Sequence, residues 1–244
     1  MRTQEKHATR FRSIQTSLLF VIVPAVIISM AVLSLMGYLS SKAIIQTSAG
    51  NEMSQCLSVA MGSIEMSLSN NRMVAETMAR GVEAVQRQAV KGEQTASDWD
   101  AAAYQEILTS FVGSNPETFG GGIWFEPYQY RPEQRYFSPY CMRQNGAVTY
   151  VDNYSLGEGV YYTDQDWYTN AANTTQKSVW SAPYYDEFAQ ISMVTSSAPI
   201  YDETGRFLGV ATADIDLTQM QQMVLSLDVV ANGRAFLIDD TGVY

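Results

Sequence analysis

Carboxylates recur across three stretches of this sequence, two of them rich in aromatic rings: Tyr161, Tyr162, Asp164, Asp166, Trp167 and Tyr168; then Trp180, Tyr184, Tyr185 and Asp186; then Asp214. Aromatic faces attract a cation and a carboxylate supplies its counter-charge, so such a set fits a pocket for an ammonium group. Taken singly, each ring reads as core and each acid as a cap or turn; the recurrence across segments is what points to a site. Catalysis has less to stand on. A serine, threonine or cysteine nucleophile needs a neighbouring base. The single histidine is His7, and the lysines from residue 40 onward are Lys42, Lys91 and Lys177. The acid pairs Asp164/Asp166 and Asp214/Asp216 are what a glycosidase would need, but their i, i+2 spacing is ordinary at turns and strand ends, and no catalytic residue is expected. Cys56 and Cys141 lie far apart with no histidine near them, so neither a metal nor another cofactor is expected, and nothing in the spacing supports a disulfide.

The elements that position these residues begin with an anchor. No charged residue occurs between Arg12 and Lys42, and within that gap Ser17 to Leu39 is almost wholly apolar. At about 1.5 Å rise per residue the run reaches about 35 Å, enough to cross a bilayer core of roughly 30 Å as one transmembrane helix over 17–39. Arg2, Lys6, Arg10 and Arg12 precede it and Lys42 follows, which places residues 1–16 in the cytoplasm and the remainder outside the inner (cell) membrane, single pass. A cleaved signal peptide has a shorter apolar region ending in a small-residue cleavage site, and this run continues into Tyr38, Leu39, Ile44 and Ile45 instead. Residues 43–244 hold 10 of the 15 basic and 24 of the 25 acidic residues, a net charge of −14. That balance argues against nucleic acid as a partner.

Beyond the anchor, Met53, Leu57, Ala60, Ile64, Leu68, Ala75, Met78, Val82, Val85 and Ala89 recur at steps of three and four, with Asn71 the one polar interruption. This period predicts a long helix over 43–90; coiled coil, dimer stalk and a helix lying along a domain all fit it. Lys91 to Ala96 reads as a link, and Ser97 as the N-cap of a second helix through Tyr104, Leu108 and Phe111. Strands are then expected over 119–128, 135–143 and 147–154, the last two joined by an Asn145-Gly146 hairpin. A short helix over 164–172 precedes strands over 178–185, 191–201 and 207–215, and a further helix covers 217–227. Helices followed by an antiparallel meander indicate an α+β fold. Arg234 to Asp239 starts another strand, and the turn after it has no return strand before Tyr244, which reads as the truncated start of a further module.

The order Asp166-Trp167-Tyr168, Trp180-Ser181-Ala182-Pro183-Tyr184-Tyr185-Asp186, Ser197-Ala198-Pro199-Ile200-Tyr201 and Gly209-Val210-Ala211-Thr212-Ala213-Asp214-Ile215-Asp216-Leu217 resembles the double-Cache extracellular sensor domain, over about residues 40–244. The resemblance implies a stalk helix running along two PAS-like modules, a distal one (97–228) that binds a small ligand and a proximal one beginning at 229–244. It also implies ligand-binding roles for Gln165, Trp167, Tyr168, Tyr184, Asp186 and Asp214. Amino-acid-binding members carry arginine where this chain has Gln165; arginine grips a carboxylate through two bonds, whereas glutamine offers one neutral amide. The ammonium half of such a site is therefore present and the carboxylate half weakened, which makes an amine as plausible a ligand as an amino acid. Arg131, Arg135 and Arg143 are candidates for a replacement cation.

These readings together predict the sensory portion of a transmembrane chemoreceptor of the methyl-accepting kind. Its partners would be a small molecule, the membrane and a second copy through the stalk helix. A histidine kinase, diguanylate cyclase or phosphatase output would suit the same sensor. A membrane-tethered binding protein without signalling is the alternative of another class.

Overall fold

The computed structural model describes residues 14–91, 101–152, 154, 159–225, 236 and 238. The chain divides into two units, Met1–Cys56 and Leu57–Tyr244. One uninterrupted helix, α1 (Ile14–Lys91), runs through both the expected span and the expected stalk. Between Leu18 and Leu39 its large apolar side chains are all exposed, from 45% at Val23 to 70% at Val21, so no protein surface covers them. Pro24 lies inside this stretch without ending the helix, and the Ser29 hydroxyl donates to the Ala25 carbonyl at 2.8 Å, so that this polar group is satisfied within the helix.

In the second unit the same helix changes character. Val74, Ala75, Met78, Ala79 and Val82 are buried at helical spacing, and they pack with Tyr104, Leu108 and Val112 of α2 (Ala101–Ser114). Both helices lie on one face of a seven-stranded antiparallel sheet of β1 (Gly120–Phe125), β2 (Tyr140–Gln144), β3 (Ala147–Val151), β4 (Val179–Trp180), β5 (Tyr184–Asp186), β6 (Ile191–Tyr201) and β7 (Phe207–Asp216). The order across the sheet is β3-β2-β1-β7-β6-β4, with β5 also paired to β6. Alternation along the strands splits the interior in two. Ile123, Phe125, Cys141, Ala198, Ile200, Ala211 and Ala213 meet the helices. Trp124, Tyr140, Met142, Met193 and Val210 point the other way, to a second core completed by Tyr154, Tyr162 and α3 (Asp166–Ala172). Each fully buried side chain of Leu or Phe size contributes about 2 kcal/mol, so both faces of the sheet are anchored. Helix α4 (Leu217–Leu225) follows β7 directly.

Asn71, the polar break in the apolar stripe, is wholly buried and satisfied: its Nδ2 donates to the Ser67 carbonyl at 3.1 Å and its Oδ1 accepts from the Thr118 hydroxyl at 2.9 Å. The hairpin is as expected, with Asn145 and Gly146 at φ 52° and 82°, the positive values its tight turn requires.

The strands expected over 119–128 and 147–154 end at Phe125 and Val151, and three further elements differ from expectation. The strand expected over 178–185 is two short ones, β4 and β5, separated by Ser181-Ala182-Pro183, because proline brings no N–H to a ladder. The strand expected from Arg135 becomes regular at Tyr140; before that the carbonyls of Arg135, Phe137 and Pro139 still accept from Tyr128, Phe125 and Ile123. The helix expected from Asp164 is a 3-10 turn, Tyr162–Asp164, followed by α3. Ser97, most of the 91–96 link, the end of the 217–227 helix and the further module over 229–244, Phe236 and Ile238 excepted, lie outside the described residues.

Candidate ligand-binding site

On the sheet face away from the helices, ten side chains close around one small cavity: Trp124 from β1, Tyr140 from β2, Tyr154 after β3, Trp167 from α3, Tyr184 and Asp186 from β5, Met193 and Thr195 from β6, and Thr212 and Asp214 from β7. Five are aromatic, two are carboxylates, and none is Lys, Arg or His. The register explains the convergence. Gly120 of β1 lies opposite Asp214, Gly122 opposite both Tyr140 and Thr212, and Thr195 of β6 opposite Asp214, so alternate residues of four strands reach one spot. Glycines at 120 and 122 leave the room: a Cβ at 120 would stand 2.2 Å from the Tyr140 hydroxyl, and one at 122 2.6 Å from the Trp124 ring.

Asp214, 3% exposed, accepts from Tyr140 Oη at its Oδ2 and from Thr195 Oγ1 at its Oδ1, both at 2.8 Å. Tyr184 Oη lies 2.8 Å from Thr195 Oγ1, extending the chain of hydroxyls by one step. Asp186, 7% exposed, accepts from Tyr154 Oη at 2.5 and 2.6 Å on its two oxygens and from the Ala189 N–H at 2.7 Å. Trp124 Nε1 donates to Thr212 Oγ1 at 2.8 Å, which fixes the indole plane. Burial pushes the Asp214 carboxyl up to about 7; the bonds from Thr195 and Tyr140 pull it down only in part, and the charge of Asp186 adds to the rise. Burial first, and then the nearby carboxylates, hold Tyr140, Tyr154 and Tyr184 well above the ordinary phenol range, so all three keep their protons as donors.

The cavity itself is about 10 Å3, room for one water-sized body. Anything larger enters only as the rings give way. Tyr184 sits on a strand of three residues that pairs with β6.

Of the residues expected to bind ligand, Trp167, Tyr184, Asp186 and Asp214 stand together around this cavity. Tyr168, next to Trp167 on α3, turns toward Glu126, to which its hydroxyl donates at 2.6 Å, and packs on Tyr162 and Phe207. Gln165 precedes α3, and its amide reaches back to the Tyr161 carbonyl at 3.5 Å. Neither lines the cavity, and none of the three arginines does either. Arg143 donates to the carbonyls of Val112, in the last turn of α2, and of Asn115 and Thr118 beyond it. Arg135 lies over the rings of Tyr136 and Tyr161, and Arg131 over Tyr130. Trp124, Tyr140, Tyr154, Met193, Thr195 and Thr212 were not singled out by sequence; the glycine run before Ile123 and Trp124 was the one available signal.

Residues 104–222 match the model of the methyl-accepting chemotaxis protein-like first PDC sensor domain. Over 80 residues the chain is 39% identical to methyl-accepting chemotaxis protein McpC of Bacillus subtilis, 33% of this chain and 12% of that protein. Over 196 residues it is 26% identical to methyl-accepting chemotaxis protein McpA of Pseudomonas putida, 78% of this chain and 30% of that one. The chain thus spans less than a third of the length of these relatives. Among solved structures, methyl-accepting chemotaxis protein X has a TM-score of 0.61 at 19% identity, covering 80% of this chain and 72% of that one. The ligand-binding domain of the Campylobacter jejuni chemoreceptor Tlp3 in complex with L-valine has a TM-score of 0.57 at 17% identity, covering 82% and 71%. At such identities the likeness is one of fold. Sheet, helices and family match agree, and residues 104–222 are similar to the methyl-accepting chemotaxis protein-like first PDC, or Cache-type, sensor domain.

Proposed function

We propose that this chain is the extracytoplasmic sensor region of a transmembrane chemoreceptor, and that its pocket takes a small ligand by an ammonium group, either an amine or an amino acid. The observation that carries this reading is the pair of buried carboxylates, Asp186 and Asp214, in one aromatic-walled cavity with no basic side chain in its lining. Buried carboxylates without a counter-charge are costly even when hydrogen-bonded, and a cation bound between them relieves that cost while the rings supply cation–π contact. Solved Tlp3 domains carrying L-valine, isoleucine and 4-methylisoleucine are relatives in fold whose ligands are of a compatible kind.

The role is binding, not turnover. The apolar N-terminal part of α1 crosses the inner membrane with the basic N-terminus in the cytoplasm. Farther along, Met53, Leu57 and Met61, at four-residue steps and 38–60% exposed, are assigned to contact with a second copy through the stalk helix. Signalling then requires two states of different ligand affinity.

The test is isothermal titration calorimetry on the chain in lipid nanodiscs, with amines, amino acids and small carboxylates as titrants. Asp186→Ala and Asp214→Ala are expected to weaken binding of the amine-bearing titrants by at least about tenfold. Binding confined to carboxylates without an amino group, unaffected by either substitution, would overturn the assignment.

A further inference from the structure

Two carboxylates share this cavity, yet their hydrogen-bond partners differ in kind. Asp186 receives a backbone N–H, that of Ala189 at 2.7 Å, besides the Tyr154 hydroxyl. An amide N–H can only donate, so this bond has a fixed direction. Both partners of Asp214 are hydroxyls, those of Tyr140 and Thr195. Thr195 is also 2.8 Å from Tyr184 Oη, and either oxygen of that pair can be the donor.

A chain made only of hydroxyls is reversible. With Asp214 ionised, Tyr184 donates to Thr195 and Thr195 to Asp214. With Asp214 protonated, the carboxyl donates to Thr195 and Thr195 donates to Tyr184. No heavy atom has to move between the two arrangements.

The groups facing Asp214 leave its charge unopposed. They are Tyr140 from β2, Tyr154 after β3, Tyr184 and Asp186 from β5, and Thr195 from β6; Trp124 from β1, Trp167 from α3, Met193 from β6 and Thr212 from its own strand carry no charge. Among the described residues lining the cavity, Asp186 is the one other charged group, and it is of like sign.

We infer that the pocket is proton-linked: in the ligand-free receptor Asp214 holds a proton, and a cationic ligand enters in exchange for it. This rests on the ammonium reading given above and adds regulation of that site by external pH. The proton leaves to bulk buffer as the ammonium takes its place, so the net charge of the cavity is the same before and after. The rise of the Asp214 carboxyl to about 7 puts the exchange within the range of natural waters. Affinity for a cation falls about tenfold per pH unit on the acid side of that value and is level on the alkaline side.

Two measurements on the whole chain in nanodiscs test the exchange separately from the ligand reading. Infrared difference spectra of the ligand-free chain between about pH 5 and about pH 9 are expected to show a protonated-carboxyl C=O band lost near neutrality. The band should be missing in Asp214→Asn, and in Asp186→Asn it should be lost at lower pH, since the like charge is gone. Absence of a band titrating above about pH 6, or its persistence in Asp214→Asn, overturns the inference even if amines bind. Calorimetry with methylammonium as the probe, in buffers of different ionisation enthalpy at about pH 6, should report release of close to one proton per cation bound. Identical heats in every buffer overturn the exchange while leaving the ammonium reading standing. Failure of methylammonium to bind at both about pH 6 and about pH 8.5 overturns that reading, and the exchange with it.

Discussion

Burial raises the Asp214 carboxyl, and its effect on stability has a definite sign. An ordinary carboxyl at 3.8 is raised to about 7 in the folded chain. Between those values the folded state holds a proton that the unfolded state has lost. The stabilisation from Asp214 is therefore complete below about pH 4, shrinks as pH rises to about 7, and is constant above. Asp214→Asn is expected to remove this dependence. In thermal unfolding followed by circular dichroism, the variant's melting temperature relative to the parent should climb between about pH 4 and about pH 7 and then level off. The span corresponds to a few kcal/mol as an order of magnitude. A difference that stays constant with pH would show that the carboxyl is not held neutral by burial.

At the scale of elements, β1 does two jobs because its residues alternate. Ile123 and Phe125 bind it to the helices, and Gly120, Gly122 and Trp124 shape the cavity. A methyl at position 120 would stand 2.2 Å from the Tyr140 hydroxyl and 2.9 Å from the Cys141 carbonyl, so Gly120→Ala must displace Tyr140 from Asp214. The expected cost is about 1–3 kcal/mol of stability together with weaker ligand binding, read by chemical denaturation and calorimetry. A methyl on Gly81, inside α1, would meet nothing within 4 Å, and Gly81→Ala serves as the control, gaining about 0.5–1 kcal/mol from helix propensity. Equal effects of the two substitutions would show that the strand is not tightly packed at position 120.

At the scale of the molecule, one helix carries two chemistries in succession. From Leu18 to Leu39 it exposes every large apolar side chain, and within the second unit Val74, Ala75, Met78, Ala79 and Val82 are part of a core. The apolar part is long enough to cross a membrane. Membranes washed with alkaline carbonate are accordingly expected to retain the chain, and removal of residues 1–42 to release it; retention of the shortened chain would point to another anchor.

Much of this organisation was legible in the residues themselves. The uncharged run from Ser17 to Leu39, the four-residue steps along α1 and the Asn145-Gly146 turn each act through neighbours in sequence, and local physics suffices to read them. Trp167, Tyr184, Asp186 and Asp214 were legible as a set because carboxylates and rings recurred across segments. Adjacent residues nonetheless parted: Trp167 faces the cavity while Tyr168, about 100° further round α3, does not. Trp124 and Phe125 likewise look alike in sequence and lie on opposite faces of the sheet. Composition and spacing alone determined that this chain is acidic and α+β, carries an apolar run long enough to cross a membrane, and repeats carboxylates across segments rich in rings. Which hydroxyls hold Asp214 was decided only by tertiary structure, since Tyr140 is 74 positions away and the two meet through the registers of β2 with β1 and of β1 with β7. A shift of one residue in either register would turn one of them to the other face, and no pattern local to Tyr140 or Asp214 encodes that alignment.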